Sequence, residues 1–289
     1  MGGWWQKLYR ADARGGHAAA EAEAQTFFDS IPSDPVGEAV KKTFTTEWQY
    51  IRNLQANGVP GIHLPAGKVL RLHQIRTATK IATDRFHLNL SAPGAGKTLA
   101  AIVAIAVSGV QRVLVICPNN AIRTWVKEFR QFMPSVMNPE TKTWSPSFGF
   151  SQHPQVVINN PQRCSNGKDG KFADQMTQFL LDWQPELIIV DEIHDFKQRD
   201  GAKDSTRSDN LFVISEWCHN NGARFLGMTG TPALNHQSEA ITLIKLMGKH
   251  LADGLKEKGK IKFFSDLLAI HFRLFQVSSR CVPDRDWET

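Results

Sequence analysis

Lys97 and Thr98 close the stretch SAPGAGKT at residues 91–98, which follows an apolar run and opens a helix-forming one. A loop that grips phosphates needs that context. Gly94 and Gly96, flanked by Pro93 and Ala95, let the backbone turn its N–H groups toward phosphate oxygens. Lys97 then reaches the β and γ phosphates, and Thr98 holds Mg²⁺. Ser91 stands where the strict pattern has a glycine, and a plain glycine-rich helix entry would satisfy the same letters. The chemistry works without that first glycine.

Further along, PELIIVDEIHDF ends an apolar run in Asp191 and Glu192. At a strand end the first carboxylate holds Mg²⁺, usually through water, and the second orients and deprotonates an attacking water. Two adjacent acids also suit a solvated turn, but with an upstream glycine-rich Lys–Thr loop they complete a nucleoside triphosphatase site. A third stretch, FLGMTGTPALN, sets Thr229, Gly230, Thr231 and Pro232 after another apolar run. Small hydroxyl residues there can connect the nucleotide site to the rest of the molecule. Thr231 before Pro232 also reads as a helix N-cap, and the two readings are compatible.

These stretches can meet only if the chain between them builds a common frame. The runs FHLNL, RVLVIC, QVVIN, LIIV and ARFLGM are too short for buried helices and are spaced widely enough for helical crossovers. They predict an α/β fold with a mostly parallel sheet covered on both faces. Function is then expected in the loops at the carboxyl ends of the strands. Residues 1–65 read instead as a helical accessory region. HAAAEAEAQTFFDSI is helix-prone, and Val36, Val40, Phe44, Trp48, Ile51 and Leu54 recur at helical spacing before the break NGVPG. Trp4 and Trp5 suit a packed terminus or an interaction anchor. The α/β unit is expected over 66–250, with a helical segment at 251–289.

The 289 residues suit one large or two modest domains. No apolar run approaches the roughly 20 residues of a membrane helix, and the N-terminus lacks the pattern of a secretory signal. The expectation is a soluble intracellular protein without a membrane partner, cytoplasmic, or nuclear in a eukaryote. Cys117, Cys164, Cys218 and Cys281 are too scattered for a zinc site or a disulfide framework. A net charge of +6 suits a polyanionic partner without demanding one.

Taken in order, the motifs resemble the first RecA-like lobe of superfamily 2 helicases and translocases, particularly the Swi/Snf type of double-stranded DNA motors. The resemblance runs from about Val69 to the neighbourhood of Leu274. SAPGAGKT is similar to motif I, VLVICPNNAIRTWVKEF to motif Ia with its Pro118, Trp125 and Phe129, VDEIHDFK to the Asp-Glu-x-His motif II, and MTGTPALN to motif III. The resemblance implies a RecA-like lobe that takes ATP and Mg²⁺, with Lys97, Asp191 and Glu192 in catalysis. It implies that Gln74, in LRLHQ, contacts adenine, with His73 where the family more often has Tyr. By the same carry-over His194 links the nucleotide site to motif III through Thr229 and Thr231.

The resemblance also implies a nucleic-acid partner, with the Swi/Snf type leaning toward duplex DNA. Asn119, Asn120 and Arg123 are the candidates for strand phosphates, with the turn NNPQRC beside them. Lys197, Gln198 and Arg199, and the stretch KEKGKIK, suit solvated loops as well as contacts. Motors of this type use a second RecA-like lobe with motifs IV to VI, and nothing in this sequence resembles it. That lobe brings an arginine finger worth about 10³–10⁵ in rate. The expectation is a lobe that holds ATP but hydrolyses it weakly until a second lobe, in a longer chain or a separate subunit, completes the site. A non-motor nucleotide-binding adaptor acting through the N-terminal helices is the alternative reading. A small-molecule kinase would leave motifs Ia and III unexplained.

Overall fold

A computed structural model describes residues 2–136, 138–148, 151–164, 171–196, 206–230, 237–255 and 264–282. Three helices come first: α1 (Gly2–Ser30), α2 (Pro35–Asn57) and α3 (Leu72–Asp84). There follow β1 (Phe86–Asn89), α4 (Lys97–Ser108), β2 (Arg112–Ile116), α5 (Ile122–Phe132), β3 (Glu140–Thr141) and β4 (Gln155–Asn159). The rest comprises α6 (Lys171–Trp183), β5 (Leu187–Val190), α7 (Thr206–Asn221), β6 (Arg224–Met228), α8 (Gln237–Met247), α9 (Phe264–Val277) and β7 (Ser278–Ser279).

The five apolar runs are strands β1, β2, β4, β5 and β6, and they lie in one seven-stranded sheet of order β3-β4-β2-β5-β6-β1-β7. Every pairing in it is parallel. Alternation along the strands divides the core. Val113, Val115, Val156, Ile158, Leu187, Ile189 and Leu226 pack toward α1–α5, whereas Leu88, Leu114, Ile116, Val157, Ile188, Val190 and Phe225 pack toward α6–α9. Burial on both faces is why these strands read as unbroken apolar runs.

The N-terminal helices are fastened to α3 by polar contacts as well as by apolar packing. Asp12 Oδ2 accepts the N–H of Leu72 at the start of α3. Arg76 donates to Glu47 Oε1 and to the Tyr9 hydroxyl while lying 4.0 Å over the ring of Trp5. Trp4 packs 4.7 Å from Phe27, so the Trp pair is inside the helical layer. In α2 the buried face carries Phe44, Trp48 and Ile51, with Asp34 capping the helix and Pro35 opening it. Val36 departs from the expected face: it sits in the first turn, 73% exposed.

Candidate nucleotide site

The sheet's carboxyl edge collects the candidate residues. Strand β1 leads into the glycine-rich loop and α4, β5 into Asp191 and Glu192, and β6 into Thr229 and Gly230. These strands are neighbours, in the order β5-β6-β1. Gly94 and Gly96 have φ of 79° and 71°. That left-handed conformation favours glycine, and a side chain at Gly96 would also collide with Gln74 Nε2. Pro93 and Gly94 are exposed at the tip, Ala95 is buried, and Thr98 is half-buried in the first turn of α4.

Lys97 lies over its own loop, its Nζ donating to the carbonyls of Ser91 at 3.2 Å and Ala92 at 3.3 Å. A Cβ at Gly230 would come within 3.1 Å of that ammonium, so the loop after β6 closes directly on the phosphate loop. Ser91 itself is buried and has no positive φ. Its backbone does not call for glycine, and its hydroxyl accepts the N–H of Cys281 at 3.0 Å.

Asp191 and Glu192 take different environments from adjacent positions. Asp191 Oδ2 accepts the indole N–H of Trp125 at 3.0 Å, and Oδ1 accepts the N–H of Glu192. Burial pushes the Asp191 carboxyl up from its ordinary range, and the Trp125 bond and the Lys97 charge oppose that shift. Glu192 turns out of the strand with φ 49°. Its Oε2 is buried and has no hydrogen-bond partner, although His194 Nδ1 lies 3.1 Å away. The His194 nitrogen bonds Thr229 Oγ1 at 2.8 Å. Glu192, His194 and Thr229 thus form a bridge between the loops after β5 and β6. Thr231, Pro232, Lys197, Gln198 and Arg199 lie outside the described residues, as does KEKGKIK.

Gln74 folds onto its own helix start, Oε1 accepting the N–H of Arg71 and Nε2 lying 3.5 Å from the Gly96 carbonyl. Beside it opens a cleft of about 330 Å³ lined by Lys68, Arg71, Leu99, Gln131 and Phe132 among others. His73 reaches the neighbouring carbonyl of the same loop. It is buried, its Nε2 pairs with the Ala95 carbonyl at 2.7 Å, and Tyr9 packs edge-on against its ring. Burial lowers its pKa, and the ring supports the phosphate loop through the Ala95 carbonyl. The sequence carried no local signal for the roles of Trp125 and His73, because both depend on partners distant in the chain.

Asn119, Asn120 and Arg123 follow β2 at the same sheet edge and are exposed. Asn119 Oδ1 accepts a long bond from Asn160, in the turn after β4. Arg123, Lys127 and Arg130 share one side of α5 and line a groove of about 370 Å³ with Thr141.

This geometry coincides with the region matched by a family model: residues 67–234 match the type III restriction enzyme, res subunit. The chain belongs to that family. This res-type lobe is 29% identical over 189 residues to the ATP-dependent helicase fft1 of Schizosaccharomyces pombe, covering 60% of this chain and 18% of that protein. It is 24% identical over 191 residues to the transcriptional regulator ATRX homolog of Drosophila melanogaster, covering 57% of this chain and 14% of that protein. The chain spans less than a fifth of either curated relative. The fold matches a Sulfolobus solfataricus SWI2/SNF2 ATPase core in complex with dsDNA at a TM-score of 0.52 and 15% identity, over 74% of this chain and 45% of that one. Among the described residues of the lobe, no helix is long and apolar enough to cross a membrane.

Proposed function

We propose that the chain is the ATP-binding lobe of a nucleic-acid-dependent ATPase that moves on duplex DNA. The observation that carries this reading is the meeting of Lys97, Glu192, His194 and Thr229 at the ends of three neighbouring strands. The residues present fit a magnesium nucleotide. A buried carboxylate oxygen on Glu192 makes no hydrogen bond and has the His194 imidazole beside it at 3.1 Å, the glycine-shaped loop is open at its tip, and Lys97 Nζ rests on loop carbonyls. Asp191 and the Thr98 hydroxyl would hold Mg²⁺, a hard cation that takes one or two protein oxygens and fills its sphere with phosphate and water. When bound, Mg²⁺ neutralises charge on the phosphate oxygens.

Lys97 would exchange the Ser91 and Ala92 carbonyls for phosphate oxygens, and the loop N–H groups at Gly94, Ala95 and Gly96 would donate to them, Ala95 leaving the Ala92 carbonyl that it meets at 3.3 Å. Glu192 orients water and takes its proton. His194 carries the state of Glu192 to Thr229 and onward to Thr231. Gln74 and the cleft beside it receive adenine. Asn119, Asn120 and Arg123 contact strand phosphates, an interaction that selects charge rather than sequence. Efficient hydrolysis and movement need a second RecA-like lobe, in a longer chain or a separate subunit, because an arginine finger contributes about 10³–10⁵ in rate.

The test is steady-state ATP turnover at low salt, alone and with duplex or single-stranded DNA, with Glu192→Gln as the blank and ATP affinity measured in parallel. DNA-raised turnover above the blank supports the assignment, as does ATP binding that Lys97→Ala weakens by roughly 10–100-fold. A Lys97→Ala chain that binds ATP as tightly as the parent would overturn it.

A further inference from the structure

Ser91 departs from the strict phosphate-loop pattern, and its hydroxyl is tied to a residue far along the chain. Strand β7 pairs with β1 at Leu88 and Asn89, and three more bonds continue that seam past its end. Leu90 N–H donates to the Ser279 carbonyl, Ala92 N–H to the Cys281 carbonyl, both at 2.8 Å, and Cys281 N–H to Ser91 Oγ. Helix α1 grips the next residue from outside: Gln6 Nε2 donates to the Val282 carbonyl at 2.8 Å, and Val282 N–H donates to Gln6 Oε1. Residues 279–282 are therefore held between the phosphate loop and the N-terminal helix.

The two loop residues that hold Cys281 are the same two whose carbonyls receive Lys97 Nζ. Any phosphate that draws the ammonium away acts directly on Ser91 and Ala92. A glycine at position 91 would remove the side-chain bond that reaches Cys281 from the phosphate loop, leaving the backbone pairing and the His87–Ser279 contact along the seam.

We propose that Ser91 is a positioning residue that couples occupancy of the phosphate loop to the segment 279–282, with Gln6 fixing the far side of that segment. The inference rests on the nucleotide reading of the loop. Binding is transmitted through Lys97 to Ser91 and Ala92, and from them to Cys281.

Hydrogen exchange on the full chain tests it, with and without magnesium ATP at concentrations that a separate titration shows to saturate each variant. In the parent, ATP slows exchange of the Cys281 amide by about tenfold, the scale of one hydrogen bond. In Ser91→Ala the loop amides still respond to ATP, whereas the Cys281 amide does not, and Ser91→Thr restores the response. Gln6→Ala, a change on the outer surface, speeds exchange at Val282 and leaves the Cys281 response in place. An undiminished Cys281 response in Ser91→Ala overturns the coupling, as does a parent whose loop amides respond to ATP while Cys281 does not. A parent that fails to bind ATP in the titration overturns the nucleotide reading itself, and the coupling with it.

Discussion

Two groups of loops share the carboxyl edge of the sheet and are built in opposite ways. Around β1, β5 and β6 the side chains hold one another: Lys97 rests on loop carbonyls, Asp191 on Trp125, and His194 between Glu192 and Thr229. Beyond β2, toward β4 and β3, Asn119, Asn120 and Arg123 stand exposed, with one long bond between Asn119 and Asn160. The difference follows from the work proposed for each. Bond cleavage gains from groups fixed before the substrate arrives, whereas holding a charged strand of any sequence needs cations within reach and little orientation. Helix α5 belongs to both regions, carrying buried Trp125 on one side and exposed Arg123 on the other.

The largest effect expected from breaking the ordered region is on hydrolysis. Glu192→Gln keeps the side-chain shape and removes the base, so turnover of the completed enzyme falls by about 10²–10⁴-fold while ATP affinity stays near the parent's. Loss of affinity in parallel with turnover would show that Glu192 serves the loop's structure instead. Lys97→Ala comes next. It removes a charge-assisted contact of about 1.5–3 kcal/mol, which weakens ATP binding by roughly 10–100-fold in a direct titration.

Trp125→Phe tests whether α5 joins the two regions. The variant keeps the ring in the core beside Phe129 and deletes the indole bond to Asp191. A hydrogen bond to an ionised partner contributes about 1.5–3 kcal/mol, and denaturant unfolding at neutral pH should register a loss of that order. The bond favours the charged carboxylate and opposes the upward shift that burial causes. The loss therefore shrinks as pH falls and Asp191 protonates in parent and variant alike. A cost that is constant across pH would mean that the indole acts by packing alone.

The readable parts of this molecule were those whose cause is local. Runs such as LIIV and RVLVI are apolar because both faces of their strands are covered, and that leaves a mark in the sequence. The two-residue strands β3 and β7, Glu140–Thr141 and Ser278–Ser279, carry no such mark, since their pairing is set by neighbours already in place. In the same way SAPGAGKT and DEIH announced a site, but the bond from Cys281 to Ser91 spans 190 positions of chain and has no periodicity to betray it. His73 shows the same limit. It stands where the family more often has Tyr, and in the structure it is buried against the Ala95 carbonyl, where tertiary packing decides its role.

The smallest effects should come from the exposed region. Arg123, Lys127 and Arg130 recur at four- and three-residue spacing along α5, so one side of that helix presents three cations beside Thr141. If a DNA strand lies along that side, each phosphate contact releases counterions, and each Arg or Lys→Ala change should lower the salt slope of binding by about 1. Affinity at low salt would fall only a few-fold per residue and equally for unrelated sequences, because a backbone contact carries no base information. The measurement is log K against log salt concentration for each variant on two duplexes of different sequence. A single variant that abolished binding, or changed which duplex was preferred, would mean that this region is as ordered toward its partner as the nucleotide loops are toward theirs. The contrast between the two halves of the sheet edge would then fail.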